Sequence, residues 1–138
     1  MEKSPEYEAF MTAYRAFIKN EVAPLCGDPT GVVFQSPPTI RVAMPSMAPT
    51  IQPHCDSEYP RHQNAEINFW IPVTKVWGNN TLHLESSPGA GDYHPVEMDV
   101  GTFLRFNGYH CRHFTNPNDT AGVGPFLHVT RVFTWRMV

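Results

Sequence analysis

The chain has 138 residues, 41% of them hydrophobic and 17% charged, and carries a formal net charge of −3. A chain of this length forms a single domain, here 1–138, whose core needs no disulfide or structural metal for stability. Only ten Lys and Arg residues are present, and no apolar run approaches the roughly 18 residues of a membrane helix. We therefore expect neither a nucleic-acid partner nor a membrane span.

The cysteines and the N-terminal sequence bear on the compartment. Cys26, Cys55 and Cys111 are an odd, sparse set, which favours reduced thiols over a disulfide framework. The sequence MEKSPEYEAF lacks the basic and apolar segments of a signal peptide. We therefore expect a cytoplasmic protein.

Residues 5–22 form the one strongly predicted helix. Apolar residues recur there at three- and four-residue steps and therefore share one face. Ser4 suits the N-cap, Pro5 suits the first helical position, and Pro24 is expected to end the helix. The apolar face needs a partner, so we expect the helix to pack on the outside of a sheet. This face comprises Tyr7, Phe10, Met11, Tyr14, Phe17, Ile18 and Val22.

The rest of the chain, about 31–136, is predicted to be β structure. Most of the 14 prolines and nine glycines lie in this part and divide it into short segments. Eight short strands behind one helix predict a mostly β fold, a jelly roll of two facing sheets. The predicted strands are 31–35, 39–44, 51–56, 66–72, 81–85, 102–106, 109–114 and 126–136, and 116–125 is predicted to be a long loop.

A metal site is predicted from His54 and Asp56. Residues two apart in a strand point to the same face, so both side chains can reach one point while Cys55 points away. Two histidines and one carboxylate leave three positions of an octahedron open, which suits Fe(II) that must bind a co-substrate and O2. Without a third ligand, His54 is as well explained as a polar strand residue.

The third ligand is predicted to come from GYHCRHF, which contains His110 and His113. In a regular strand these two residues face opposite sides, so only one can join the site, and alternation alone does not choose between them. Cys111 shares a face with His113 and is either near the metal or a small core residue. The remaining histidines, predicted to be surface or structural residues, are His62, His83, His94 and His128.

The predicted strand 66–72 has one wholly apolar face and one partly polar face. Ile67, Phe69 and Ile71 form one apolar face, and Glu66, Asn68 and Trp70 form the other. A polar residue in the middle of such a strand needs a hydrogen-bond partner, so Asn68 contacts either a co-substrate or ligand water of the site, or a neighbouring strand. Candidate substrate or co-substrate contacts also include Arg41 and Trp70, although Arg41 could pair with an acidic residue and Trp70 could be core.

The stretch from Thr39 to Asn118 resembles the phytanoyl-CoA hydroxylase-like superfamily of Fe(II)- and 2-oxoglutarate-dependent oxygenases. It is most similar to the bacterial StrG-like branch linked with streptomycin biosynthesis. The chain contains the family pattern, which is Asn-x-Leu, then Pro-Gly, then a strand that begins with glycine before the distal histidine. The matching runs are PTIRVAMP at 38–45, HCDSEY at 54–59, AEINFWIPVT at 65–74, GNNTLHLESSPGAGDYHP at 78–95, GTFLRF at 101–106 and CRHFTNPN at 111–118.

The resemblance implies a double-stranded β-helix, a cupin-like variant of the jelly roll. It also implies His113 as the distal ligand, because the family's histidine stands at this distance before an asparagine, here Asn118. The implied cofactors are Fe(II), 2-oxoglutarate and O2, and the implied reaction hydroxylates a small metabolite and releases succinate and CO2. Thr81, in the Asn-Thr-Leu run, is assigned with Asn68 to the co-substrate.

The resemblance further implies an arginine that holds the distal carboxylate of 2-oxoglutarate. Arginine is the usual choice because its planar fork meets a carboxylate bidentately. Arg131, in a Thr-Arg-Val run, is the best match, although it lies farther from His113 than in the family, with 121–127 as an apparent insertion. Arg136 is the alternative.

Two other classes of protein fit the same residues. A cupin-type isomerase or hydrolase could use the same ligands with another metal. A non-catalytic binding protein would explain the displaced arginine and the altered last strand. The short chain fits either a minimal enzyme or a fragment of a larger one.

Overall fold

The computed structural model describes residues 4–134, and for 124–134 it describes the backbone only. Arg136 therefore lies outside the described residues. The chain begins with helix α1, Pro5–Phe17, and continues through a π-helical turn, Ile18–Val22, into a short helix α2, Ala23–Cys26. The Ser4 hydroxyl accepts a hydrogen bond from the Tyr7 amide at 3.3 Å, so the predicted N-cap is confirmed.

The prediction that Pro24 ends the helix was wrong. Pro24 lies in the first turn of α2, directly after the π-helical turn. A residue in the first turn of a helix does not need its backbone N–H for a hydrogen bond within that helix, so proline is tolerated there. The helical segment ends instead at Gly27, whose φ of 66° is the left-handed conformation that glycine adopts without strain.

The apolar face of the helix packs against the larger sheet. Met11, Tyr14, Ile18 and Val22 are buried together with Phe69 of that sheet. The Tyr14 hydroxyl also donates a 2.6 Å hydrogen bond to the backbone carbonyl of Gln35. The prediction of one N-terminal helix packed on a sheet is therefore confirmed.

All strand pairs are antiparallel and form two sheets in the described chain. The five-stranded sheet has the order β1-β8-β3-β6, and β2 pairs with the same long strand β8. The three-stranded sheet has the order β5-β4-β7. The strands are β1 Val32–Val33, β2 Thr39–Ala43, β3 Ile67–Pro72, β4 Leu82–Leu84, β5 His94–Pro95, β6 Leu104–Phe106, β7 His113–Thr115 and β8 Gly124–Thr134.

Two predicted strands differ in the structure. Segment 51–56 is not a regular strand, because Pro53 cannot donate to a ladder. It makes a single bridge, His54 to His113, before a 3₁₀ turn, Asp56–Glu58. Segment 109–114 begins as a turn, and only its end contributes to β7. Strand β5 was not predicted at all.

Strand β3 shows the predicted alternation. Ile67, Phe69 and Ile71 pack toward the helix, whereas Trp70 lies in a second buried cluster that residues of both sheets share. That cluster contains Ala43, Leu82, Leu84 and Phe106 among others and holds the two sheets together. No helix in the described part of the chain is both long enough and apolar enough to span a membrane.

Candidate metal centre

Three side chains from two distant segments of the chain converge beside the bridge between His54 and His113. Each of these residues donates its backbone N–H to the other's carbonyl, at 3.2 and 2.9 Å, which sets the two imidazole rings 4.4 Å apart. Asp56 opens the 3₁₀ turn that follows. Its Oδ1 lies 3.5 Å from Nε2 of His54 and 3.7 Å from Nε2 of His113.

Both imidazoles present Nε2 toward the converging group, so both could bind a metal ion. Nδ1 of His54 lies 2.7 Å from the Gln52 carbonyl, and Nδ1 of His113 lies 3.0 Å from the Cys111 carbonyl. A carbonyl accepts only from N–H, so the proton of each neutral ring belongs on Nδ1 and the lone pair on Nε2. The two Nε2 atoms and a carboxylate oxygen lie within 4.8 Å of one another, and a small inward movement would suit one ion.

The two histidines differ in protonation. Burial lowers the pKa of His113, whose ring is fully enclosed, and so favours the neutral form of this imidazole. The contact with the Asp56 carboxylate raises the pKa of His54, against the opposing effect of burial. Protonation of His54 would therefore compete with metal binding at a higher pH than protonation of His113.

Asp56 is held from behind by two neighbours. Its Oδ2 accepts a 2.7 Å hydrogen bond from Nδ2 of the fully buried Asn68, and its backbone N–H donates to the Gly108 carbonyl at 2.8 Å. A Cβ on Gly108 would overlap Nδ2 of Asn68 and lie 2.6 Å from Oδ2 of Asp56. The Asn107-Gly108 pair was recognised only as a turn signal, so the contact of Gly108 with the site was missed.

A histidine–glutamate pair adjoins the same carboxylate. Glu66 is fully buried, and Nδ1 of His62 lies 2.9 Å from its Oε1. One ligand atom from each of Asp56, His62 and Glu66 lies within 4.8 Å of the others. Burial raises the pKa of Glu66, and the neighbouring His62 opposes that rise. Sequence reasoning placed Glu66 on the partly polar face of its strand without foreseeing this pair.

A cavity of about 780 Å³ opens in front of His54 and Asp56. Its volume lies in the range of about 300–1,000 Å³ typical of small-molecule sites. Arg41, Arg61 and His62 also line it.

The other predicted site residues lie in different places. Trp70 is fully buried in the cluster between the sheets, and the Thr81 hydroxyl donates to the Val96 carbonyl at 2.8 Å. Arg131 lies in β8, where only the backbone is described. His110 lies in the turn before β7, with Nε2 2.5 Å from Oδ1 of Asn64, and is absent from the converging group.

The sequence is similar to one curated biosynthetic protein. No family model matches the chain. The chain is 33% identical over 97 residues to the streptomycin biosynthesis protein StrG of Streptomyces griseus. The aligned residues make up 70% of this chain and 45% of StrG. The chain thus spans less than half the length of this curated relative.

Two solved structures share the fold. One is a non-haem monooxygenase, the ThoJ-Ni complex, with a TM-score of 0.58 and 16% identity over 75% of this chain and 44% of that one. The other is EvdMO1, with a TM-score of 0.62 and 19% identity over 88% of this chain and 32% of that one. These two structures show the fold of the chain, within which His54, Asp56 and His113 form a candidate metal centre.

Proposed function

We propose that the chain is a 2-oxoglutarate-dependent oxygenase domain in which His54, Asp56 and His113 hold Fe(II). The observation that carries the proposal is the convergence of two Nε2 lone pairs and one carboxylate, with both Nδ1 atoms facing backbone carbonyls. Two histidines and one carboxylate on one side of an ion leave the open positions that non-haem iron oxygenases use. The two packed sheets support a jelly roll of the double-stranded β-helix type.

With iron, 2-oxoglutarate and O2 bound, the reaction converts a C–H bond to C–OH and releases succinate and CO2. The protein's part is to position the groups. Asn68 fixes the Asp56 carboxylate, and the backbone bridge fixes the two imidazoles. The cavity in front of His54 would receive the substrate, for which we propose a small metabolite.

We further propose that Arg131 holds the distal carboxylate of 2-oxoglutarate. The pairing of β3 with β8 shifts register between Ile67, opposite Val132, and Phe69, opposite Val129. Two residues of β8, Thr130 and Arg131, therefore face the single residue Asn68 across the strands. Asn68 donates a hydrogen bond to Asp56, so Arg131 lies across the sheet from a residue that contacts the candidate metal centre. This backbone position supports Arg131 as the residue that holds the co-substrate. The co-substrate roles of Asn68, Thr81 and Arg136 stay predictions.

The test is succinate formation from 2-oxoglutarate under air, with Fe(II) and then with Zn(II). We expect succinate only with Fe(II), and Arg131→Met should weaken 2-oxoglutarate binding by roughly thirtyfold or more. Arg105→Met is the matched control, because Arg105 is exposed on β6 and does not line the cavity.

Three results would contradict the proposal. Binding of 2-oxoglutarate unchanged in Arg131→Met would remove the assigned anchor. A metal-dependent reaction that proceeds with Zn(II) and without 2-oxoglutarate would favour a cupin-type hydrolase or isomerase. Failure of the unmutated protein to bind 2-oxoglutarate would favour a non-catalytic binding protein.

A further inference from the structure

The cavity beside the metal centre contains an arginine that forms no ion pair with any described residue. Arg41, on β2, is half-buried and lines the cavity together with His54 and Asp56. Its Nε is buried and has no hydrogen-bond partner among the described residues, and no described carboxylate forms an ion pair with it. A buried donor of this kind is costly unless something accepts its hydrogen bond.

The neighbouring strand offers no carboxylate side chain either. Strand β2 pairs with the first half of β8, where Arg41 is opposite Phe126. The sequence from 124 to 138 contains no Asp or Glu, so none of these side chains can neutralise Arg41. Within the described residues that line the cavity, Asp56 is the only acid, and its Oδ2 is already bonded to Asn68.

A second cation stands at the exposed side of the cavity. Arg61 lines it with a φ of 72°, a conformation that non-glycine residues seldom adopt, and no described residue forms an ion pair with it. Such backbone conformations cost free energy and cluster at ligand sites. The described wall of the cavity therefore carries two arginines against one acid that is committed to the metal centre.

We propose that Arg41 binds an oxyanion, a carboxylate or phosphoryl group, of the molecule that reacts at the metal centre. The planar guanidinium is suited to such groups because it can donate two parallel hydrogen bonds. The cavity, at about 780 Å³, has room for an organic anion in front of His54 and Asp56. This inference rests on the proposed function and adds the class of substrate, a small organic anion held at one end by β2.

The first experiment needs no metal, so it tests Arg41 separately from the oxygenase proposal. The metal-free full chain is titrated with inorganic phosphate and with acetate while the Nε–H resonance of Arg41 is followed by NMR. We expect a saturable shift of this resonance with at least one of the two anions. The titration of the unmutated protein does not depend on any variant that fails to fold. Absence of a saturable shift with both anions would overturn the proposal.

Variants then establish which charge is responsible. Arg41→Met should weaken anion binding by about tenfold to a hundredfold, as expected for losing hydrogen bonds to a charged group. Arg105→Met should bind the anion like the unmutated protein. Arg61→Asn tests the second cation with a residue that tolerates positive φ, and we expect a smaller loss because Arg61 is exposed. Equal anion binding by Arg41→Met and Arg105→Met would overturn the proposal.

A final arm separates the substrate from 2-oxoglutarate, which also carries carboxylates. The Fe(II)-loaded protein is titrated anaerobically with 2-oxoglutarate, and the metal-to-ligand charge-transfer band is measured in Arg41→Met. An unchanged affinity supports Arg41 as the anchor of the other substrate. A loss of tenfold or more would make Arg41 the co-substrate anchor and refute the inference. Absence of the band in the unmutated protein would refute the proposed function, and the metal-free titration would still decide whether Arg41 binds an anion.

Discussion

The substitution Gly108→Ala adds a single methyl group, but we expect it to weaken metal binding strongly. The Gly108 carbonyl accepts the Asp56 amide at 2.8 Å, and the space where a side chain would stand is filled by Asn68 and the Asp56 carboxylate. Its φ is not in the positive range, so alanine is compatible with the local backbone and the effect of Gly108→Ala should be steric.

The size of the effect follows from the contacts. The new Cβ would lie 2.6 Å from Oδ2 of Asp56, whereas ordinary contact begins at 3.4 Å, so atoms must move by close to 1 Å. A displacement of about 1 Å can cost about a hundredfold at a catalytic centre, and disturbing a ligand's support typically costs about tenfold to a hundredfold in metal affinity. We therefore expect Gly108→Ala to bind Fe(II) or Mn(II) about ten to a hundred times more weakly.

The assay is anaerobic calorimetric titration of the metal, with thermal unfolding to show that the variant is folded. Gly89→Ala is the matched control. Gly89 has a φ of 75°, but its added Cβ would meet nothing within 4 Å, so this variant should lose stability and keep metal affinity. If folded Gly108→Ala bound the metal as tightly as the unmutated chain, the account of how Asp56 is held would be refuted.

Three further predictions concern the ligands, the helix and acid stability. His113→Ala should abolish metal binding and His110→Ala should retain it in the same titration, and the reverse result would reassign the ligand. Tyr14→Phe should lower the free energy of unfolding in urea by about 1–2 kcal/mol, because the partly buried Gln35 carbonyl loses its donor, and no change would argue against the helix packing described above. The pKa of Glu85 is lowered by several hydrogen-bond donors, of which the backbone amide of Arg112 has the largest effect. The Glu85 carboxylate therefore stabilises the fold at pH values above the ordinary glutamate pKa, and this stabilisation is lost as the pH falls through the lowered pKa. Glu85→Gln should therefore be destabilised in urea at neutral pH and converge with the unmutated protein in acid, and a gap that does not depend on pH would contradict the linkage.

Local periodicity was sufficient to predict the helix and the strand that supports the site. The apolar stripe of 5–22 predicted a helix on a sheet, and the alternation along β3 separated Phe69, which faces the helix, from Asn68 and Trp70 in the interior. These predictions depend only on neighbours within one element, which is why they could be made without the tertiary structure.

The residues of the candidate metal centre could be proposed from the sequence, but their arrangement could be predicted only in part. His54 and Asp56 do approach each other, but through a single bridge and a 3₁₀ turn, because Pro53 interrupts the expected strand. The alternation argument for His110 and His113 assumed a continuous strand, whereas the chain turns before β7. Only the resemblance favoured His113, which is the histidine that approaches His54 and Asp56. The role of Gly108 depends on a contact with a residue distant in sequence, which a single sequence does not reveal.

The measurement that tests the central claim most directly is the anaerobic absorption spectrum of the full chain with Fe(II) and 2-oxoglutarate. We predict a metal-to-ligand charge-transfer band that saturates at one iron per chain and that Asp56→Ala abolishes. The band requires 2-oxoglutarate to chelate an iron that three protein ligands leave partly open. A chain that binds Fe(II) without developing this band, or a band that persists in Asp56→Ala, would contradict the account.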